Sequence, residues 1–188
     1  MQFNIKILLL LCICLMSNKI NAQHLRLEDI PEITLDDFKA KPKSDSPYPA
    51  YMSVRTLYRL DSIVEISKDK FRLKVITTVE PLRDDCYFDQ TKIPKNAINS
   101  VLKHEKGHLI IGFIGANQIE EELSSQSYSS DYQKEVSEAF NILLKNINIL
   151  HQRYDKITKH NANTEQQEIW DKALIQMFKD TYSKRQSY

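Results

Sequence analysis

Glycine is scarce in this chain: three of the 188 residues are glycine, and all of them fall between Gly107 and Gly115. Nucleotide-binding enzymes that use phosphate-cradling loops need closely spaced glycines between a strand and a helix. The scarcity argues against that class. The chain also lacks low-complexity tracts, and its composition is that of a folded domain rather than a disordered one.

Cysteine is nearly absent outside the first residues. Cys12 and Cys14 lie in an N-terminal apolar run, which leaves Cys86 alone in the rest of the chain. A lone cysteine cannot form an intramolecular disulfide. We expect Cys86 to be a small buried apolar residue rather than a nucleophile, because free cysteine is among the most buried residue types.

An excess of charge of either sign is also lacking, since 26 basic residues stand against 25 acidic ones. The formal net charge is +1. A chain this close to neutral creates no overall field that would attract nucleic acid or an anionic membrane. No nucleic-acid partner is therefore expected.

The only long apolar run stands at the start of the chain. Lys6 precedes it, the run covers residues 7–16, and a polar stretch leads to Ala22. This order is that of a secretory signal peptide cleaved after Ala22. We therefore predict a signal peptide at 1–22 and a single domain at 23–188, exported to the periplasm or the medium. The run is too short to span a bilayer comfortably, so no stable membrane insertion is expected after cleavage.

The first half of the mature chain has the pattern of strands. YMSVRTLYRL, residues 51–60, alternates and is rich in β-forming residues. SIVEIS, residues 62–67, and FRLKVITTVE, residues 71–80, flank the short sequence KDK. Two such segments around a short polar turn predict an antiparallel hairpin.

The second half has a period of about 3.6 residues, which is typical of helices. We predict a first helix over residues 95–123, a second from about residue 130 to the stretch at 159–163, and a third that opens at Thr164. Thr164 and Gln167 have the spacing of a capping box. Strands followed by three helices predict an α+β fold.

The stretch VLKHEKGHLI contains the pattern His-Glu-x-x-His within the first predicted helix. Residues four apart share one helix face, so His104 and His108 can direct their rings at one point. Zinc accepts neutral imidazole and lowers the pKa of a bound water to about 7. Glu105, next to His104, is placed to take a proton from that water as a general base. The motif therefore predicts a zinc (Zn²⁺) hydrolase.

A zinc ion bound by two histidines needs a third protein ligand. The longer motif His-Glu-x-x-His-x-x-Gly-x-x-His supplies a third histidine, but this chain does not contain it. Ile111 and Ile114 stand at the glycine and histidine positions of that motif. The candidates are Glu135 and Glu138 on the next helix, and His160 at its end. The residues alone leave this choice open. His151 is expected at the surface.

Three segments resemble a known family: secreted bacterial proteins with domain of unknown function 922, regarded as zinc-dependent proteases. ITLDDFKAKPKSDSPYPAYMS is similar to the opening of that family. LKHEKGHLIIGFIGANQIEEEL is similar to its His-Glu-x-Gly-His helix, and YDKITKHNANTEQQEIWDKAL to its closing signature. Together they cover residues 33–174. The motif positions that carry over are His104, Glu105, Gly107, His108, Tyr154, Asp155, Thr158 and His160.

The resemblance implies a zincin-like architecture and a peptide or protein substrate. It also implies that His160 is the third zinc ligand, with Asp155 orienting a ligand histidine. Tyr154 or His151 is a candidate for stabilising the oxyanion, with core packing as the other role for Tyr154. Rival interpretations are a binding or envelope protein of this fold without turnover, and a protein whose zinc is structural.

The chain departs from the family pattern in two places. Leu35 replaces a usual tryptophan. After the second histidine the family has polar and aromatic residues where this chain has Leu109, Ile110, Phe113 and Gly115. The metal-ligand set is intact, whereas the departures bear on substrate recognition.

Overall fold

The computed structural model describes residues 20–21, 26–42 and 44–183, with the backbone alone described at residues 20, 21 and 183. The predicted signal peptide therefore lies almost wholly outside the described residues. Within them, no helix is both long enough and apolar enough to cross a membrane. Antiparallel strands come first, and three helices follow with one short strand between the first two, which confirms the α+β fold class.

A long hairpin forms most of the sheet. Strands β3 (Val54–Ser67) and β4 (Lys70–Pro81) pair antiparallel, as the alternating pattern predicts, and Ser67 faces Lys70 at the turn. Asp69 in that turn has a left-handed backbone, with φ 58°, which aspartate tolerates better than most residues. The other side of β4 pairs with two short strands, β1 (Ile20–Asn21) and β6 (Ser127–Tyr128).

A second, two-stranded sheet is formed by the segments that precede and follow the hairpin in the chain. It pairs β2 (Ala50–Tyr51) with β5 (Tyr87–Phe88). Cys86, directly before β5, is fully buried, as expected. Burial raises the pKa of its thiol to about 11. A thiol with so high a pKa is protonated near neutral pH and unreactive.

Helix α1 (Ile98–Ser125) runs through the centre of the molecule. The sheet packs on one side, where Gly112 lies against Val54 and Val79. Elsewhere the backbone carbonyl of Thr181, near the C-terminal end of the described chain, accepts a 2.8 Å hydrogen bond from Asn117 of α1. A helix covered on all sides can be apolar all round, which explains why its residues from 107 to 117 are buried, except for the partly buried Ile110.

Helix α2 (Tyr132–Thr158) returns antiparallel to α1 and buries one stripe, which includes Val136, Ile147 and Tyr154. Both helices are long, 28 and 27 residues. About as many residues separate His104 from the end of α1 as separate the start of α2 from Asp155. The last turns of α2 therefore come back to the level of His104.

The third helix, α3 (Thr164–Ser183), begins where the sequence predicts but is capped differently. Asn163 is the capping residue: its Oδ1 accepts the backbone N–H of Gln166 at 3.2 Å. Thr164 is the first helical residue, and the side chain of Gln167 points to α1 instead of closing a capping box. The predicted capping box is therefore wrong. Leu174 is buried, whereas Trp170 is only partly buried.

Candidate metal centre

Helix α1 carries three ionisable side chains close together along its axis. His104, Glu105 and His108 are all buried, with 1%, 3% and 7% of their surface exposed. The two imidazole rings lie 5.2 Å apart between centroids, as expected of residues one helical turn apart. Both face the last turns of α2.

Helix α2 supplies the opposing carboxylate. The Oδ1 atom of Asp155 lies 3.2 Å from Nε2 of His104 and 2.9 Å from Nε2 of His108. Potential metal-binding atoms of these three residues all lie within 4.8 Å of one another. Asp155, which the sequence suggested only as a partner of a ligand histidine, is therefore at the point where both rings converge.

His160 lies beside this cluster. Its Nδ1 is 3.5 Å from Oδ1 of Asp155, and its ring centroid is 6.3 Å from that of His104. The residue sits on an unusual turn, since Lys159, His160 and Asn161 all have left-handed backbones, with φ between 50° and 72°. Such conformations are costly for residues other than glycine. The turn directs His160 back toward the site.

The two glutamates considered as third ligands lie at the other end of α2. Glu135, near the start of the helix, accepts hydrogen bonds from Ser129 in the preceding loop. Glu138 is exposed and only one turn further on. Because α2 is antiparallel to α1, its start lies far from His104. The structure does not bring either glutamate to the cluster.

Each clustered histidine has a partner on its second ring nitrogen. Nδ1 of His104 is 2.9 Å from Oε1 of Gln167 on α3. Nδ1 of His108 is 2.9 Å from Nδ1 of His151 on α2. His151 is thus partly buried against His108, and the expectation of a surface residue is wrong. Its position four residues before Asp155 was the available signal, because such residues share a helix face.

Electrostatics at the cluster favour a deprotonated Asp155 close to protonatable histidines. Burial by itself would raise the pKa of Asp155, but hydrogen bonds with His104 and His108 outweigh it and hold that pKa well below its usual range. Burial lowers the pKa of His104, whereas the contact with Asp155 prevails and raises it. Burial lowers the pKa of His151 to about 3. His151 is therefore neutral near pH 7 and can accept a hydrogen bond.

Glu105 is a buried carboxylate with an unpaired oxygen. Burial raises its pKa, although the nearby histidines and a hydrogen bond from the backbone of Met52 oppose the shift. Its Oε2 is buried and has no hydrogen-bond partner among the described residues. A buried carboxylate oxygen without a partner is uncommon and has an energetic cost.

Tyr154 packs under the cluster rather than facing its open side. It is fully buried, and its hydroxyl donates a 3.2 Å hydrogen bond to the backbone carbonyl of His104. A Cβ placed on Gly107 would lie 2.7 Å from Cζ of Tyr154. Gly107 therefore makes room for this phenol. Core packing is the role of Tyr154 that the contacts support, and stabilisation of an oxyanion is not.

A cavity of about 450 Å³ that is open to the surface is lined by Asp155 and His160 but not by His104, Glu105 or His108. The ring of Tyr48 stacks on His160 at one wall, with centroids 3.6 Å apart. The lining residues are Tyr48, Gln152, Asp155, Lys156, Lys159 and His160. A separate cavity of about 430 Å³ lies between α1, α3 and residues 27–33 and contains none of the clustered histidines.

The fold and the cluster define an α+β protein in which two buried histidines face a partly exposed carboxylate. The sequence profile of the family described as bacterial protein of unknown function (DUF922) matches residues 28–161. This is most of the chain, and the protein belongs to that family. The matched region includes α1, α2 and His160 but ends before Gln167 of α3. No curated protein and no solved structure matches the chain.

Proposed function

We propose that the protein is a zinc-dependent hydrolase, acting on peptide bonds, in which His104, His108 and Asp155 hold the metal. The observation that carries the proposal is the convergence of two imidazole Nε2 atoms on one carboxylate oxygen, at 3.2 and 2.9 Å, in a site whose histidines are buried. Ligands around a tetrahedral zinc at 2.0–2.1 Å are about 3.3 Å apart. The two nitrogen-to-oxygen distances are thus close to the spacing of ligands in a zinc site.

The second ring nitrogens support the same assignment. Gln167 and His151 hold Nδ1 of His104 and of His108, respectively. Metal-binding histidines usually have such a partner, which orients the ring and leaves the other nitrogen for the metal. Three protein donors leave one coordination position open, as catalytic zinc sites do.

Zinc in this position would polarise a substrate carbonyl and lower the pKa of a water. Glu105 is the residue placed to handle the proton. Burial raises its pKa and so favours proton uptake. Its Oε2 has no hydrogen-bond partner among the described residues and would be available to accept a proton from a water and return it to a leaving amine. The Met52 backbone N–H holds the carboxylate in place.

The peptide substrate and the zincin-like architecture rest on other grounds. A sheet precedes the helix that bears His104, Glu105 and His108, and the chain resembles proteins regarded as zinc-dependent proteases. The differences from the family pattern after His108 are weak evidence against catalytic turnover. Leu109 and Phe113 are buried in the core, where their role is packing.

The proposal is tested with Glu105→Gln in the purified mature chain. The amide has nearly the same shape but cannot accept the proton, so we expect zinc to stay bound and hydrolysis of a broad peptide pool to fall by at least ~100-fold. Glu121→Gln, an exposed position on the same helix, is the matched control and should keep full activity.

Two results would contradict the proposal. Unchanged turnover in a zinc-loaded Glu105→Gln protein would remove Glu105 from the chemistry. A wild-type chain that binds zinc but cleaves no peptide in the pool would point to the rival class, a metal-binding or envelope protein without turnover.

A further inference from the structure

The open cavity beside the cluster has a wall that the protein itself holds in place. Tyr48 lies between two prolines in the sequence PYP, residues 47–49, and proline rings fix the backbone φ angle. Ser46, directly before them, is anchored by a 2.6 Å hydrogen bond with the hydroxyl of Tyr87. The Tyr48 ring stacks on His160, with centroids 3.6 Å apart. The cavity is therefore formed before any ligand enters it.

Two lysines give this cavity its charge. Lys156, in the last turn of α2, and Lys159, directly after that helix, both line it. Both are exposed, and neither side chain has an ion pair or hydrogen bond with another described residue. Among the described residues that line the cavity, Asp155 is the one acid. The two ammonium groups can therefore meet a negative group of a ligand.

The cavity borders the proposed metal centre through Asp155. The Oδ1 atom of that residue faces Nε2 of His108 at 2.9 Å. Its backbone carbonyl accepts hydrogen bonds from the backbone N–H groups of Lys159 and, at 3.1 Å, of His160. The turn that carries Lys159 is thus fixed to the proposed ligand. A group bound in the cavity would lie next to the bond that is cleaved, where complementary charge gives specificity.

We propose that this cavity is a specificity subsite that binds a carboxylate of the peptide substrate, attracted by Lys156 and Lys159. Cleavage of such a substrate rests on the proposed function, whereas binding of the carboxylate depends on the cavity alone. The stacked rings of Tyr48 and His160 would contact the apolar part of the same residue. The carboxylate can belong to an acidic side chain or to the C-terminus of the peptide, and the test distinguishes the two.

Substrate preference is measured with pools of short peptides that are acetylated and amidated at their ends. The pools differ in one residue, scanned through every position, which is Glu, Gln or Lys. We expect the zinc-loaded wild type to cleave the Glu pool with a kcat/KM about 10-fold above that of the Gln pool, the effect of two exposed ion pairs. The Lys pool should be cleaved most slowly. A Gln pool with free C-termini, cleaved faster than its amidated form, would identify the terminal carboxylate as the group that binds.

Salt gives a second measurement of the same preference. The screening length falls from about 10 Å at 0.1 M salt to about 3 Å at 1 M. The ratio of the Glu rate to the Gln rate should therefore shrink at high salt. A ratio that stays constant would show that the preference does not come from charge.

The double variant Lys156→Glu, Lys159→Glu reverses both charges. We expect the ratio of Glu to Gln cleavage to fall below one, and this ratio does not depend on how much zinc a preparation holds. Lys145→Glu is the matched control, because Lys145 is exposed on the same helix and about 16 Å along it from Lys156. It should keep the preference of the wild type.

A structural role for the two lysines gives a different result. Basic residues near the C-terminus of a helix also stabilise it. A double variant that unfolds at a lower temperature but keeps the preference for the Glu pool would assign the lysines to helix stability and overturn the subsite.

Calorimetry with the Glu105→Gln variant, with and without zinc, measures binding of the same pools without cleavage. A wild type that cleaves the Glu, Gln and Lys pools equally would refute the subsite and leave the proposed function standing. A protein that cleaves no pool, but binds the Glu pool more tightly than the Gln pool and loses this difference in the double variant, would refute the proposed function and support the subsite.

Discussion

Asp155 offers one carboxylate oxygen to several imidazole nitrogens. The contacts to His104 and His108 are 3.2 and 2.9 Å, whereas that to His160 is 3.5 Å and marginal for a hydrogen bond. The ring of His160 is instead stacked on Tyr48 at the wall of the open cavity. At the scale of single residues, these contacts favour Asp155 over His160 as the third ligand of the proposed metal site, and they place His160 at the wall of the open cavity.

The third ligand is tested by comparing Asp155→Ala with His160→Ala. Loss of a direct ligand should exceed the 10–100-fold effect of losing an outer partner, so we expect Asp155→Ala to weaken zinc binding by more than about 100-fold. His160→Ala should weaken it less. Competition with a chromophoric chelator measures both, with circular dichroism to verify folding. The reverse order would restore His160, the residue that the family resemblance implies, as the third ligand.

The packing of α1 against α2 depends on a residue without a side chain. A Cβ on Gly115 would meet the side chain of Ile147 closer than any van der Waals contact, with Cγ1 at 2.5 Å. The close approach of the two helices is what lets His151 and Asp155, further along α2, reach the histidines of α1. At the scale of elements, Gly115 thus supports the site without touching it.

Gly115→Ala should therefore destabilise the protein. Overpacking a core costs about 1–3 kcal/mol, and the gain in helix propensity from glycine to alanine returns about 1 kcal/mol. We expect a net loss of up to about 2 kcal/mol in the free energy of unfolding, measured by urea titration. Gln118→Ala, an exposed position on the same helix, should change it little. A stability equal to or above that of the wild type would show that α2 can move away freely.

For the whole molecule, we propose export with removal of residues 1–22, which have the order of a secretory signal peptide. Strand β1 (Ile20–Asn21), which pairs with residues 78 and 79 of β4, would leave with that segment. The remaining edge pairing of β4 would be with β6. The site would be unaffected, because its residues lie on α1, α2, α3 and the turn between α2 and α3.

Intact-mass analysis of the exported protein tests this proposal. We expect the mass of a chain that begins at Gln23, because cleavage is expected after Ala22. A mass that retains Met1 to Ala22 in the exported fraction would contradict it, and so would a protein found only inside the cell.

The sequence by itself determined the local features of this protein. The hairpin around residues 68–70 and the three helices follow from alternation and from a period of 3.6, which are properties of neighbouring residues. The shared helix face of His104 and His108 follows from their spacing of four. The burial of Cys86 was also predictable, because a lone cysteine favours the core.

Only the tertiary structure decided which residues complete the site. Asp155 and His151 reach α1 because two long helices of nearly equal length run antiparallel, which depends on where each ends and on how closely Gly115 lets them pack. Gln167 reaches His104 from a third helix, 63 positions away in the chain. Contacts at such separations depend on the packing of whole elements, and no local pattern encodes them.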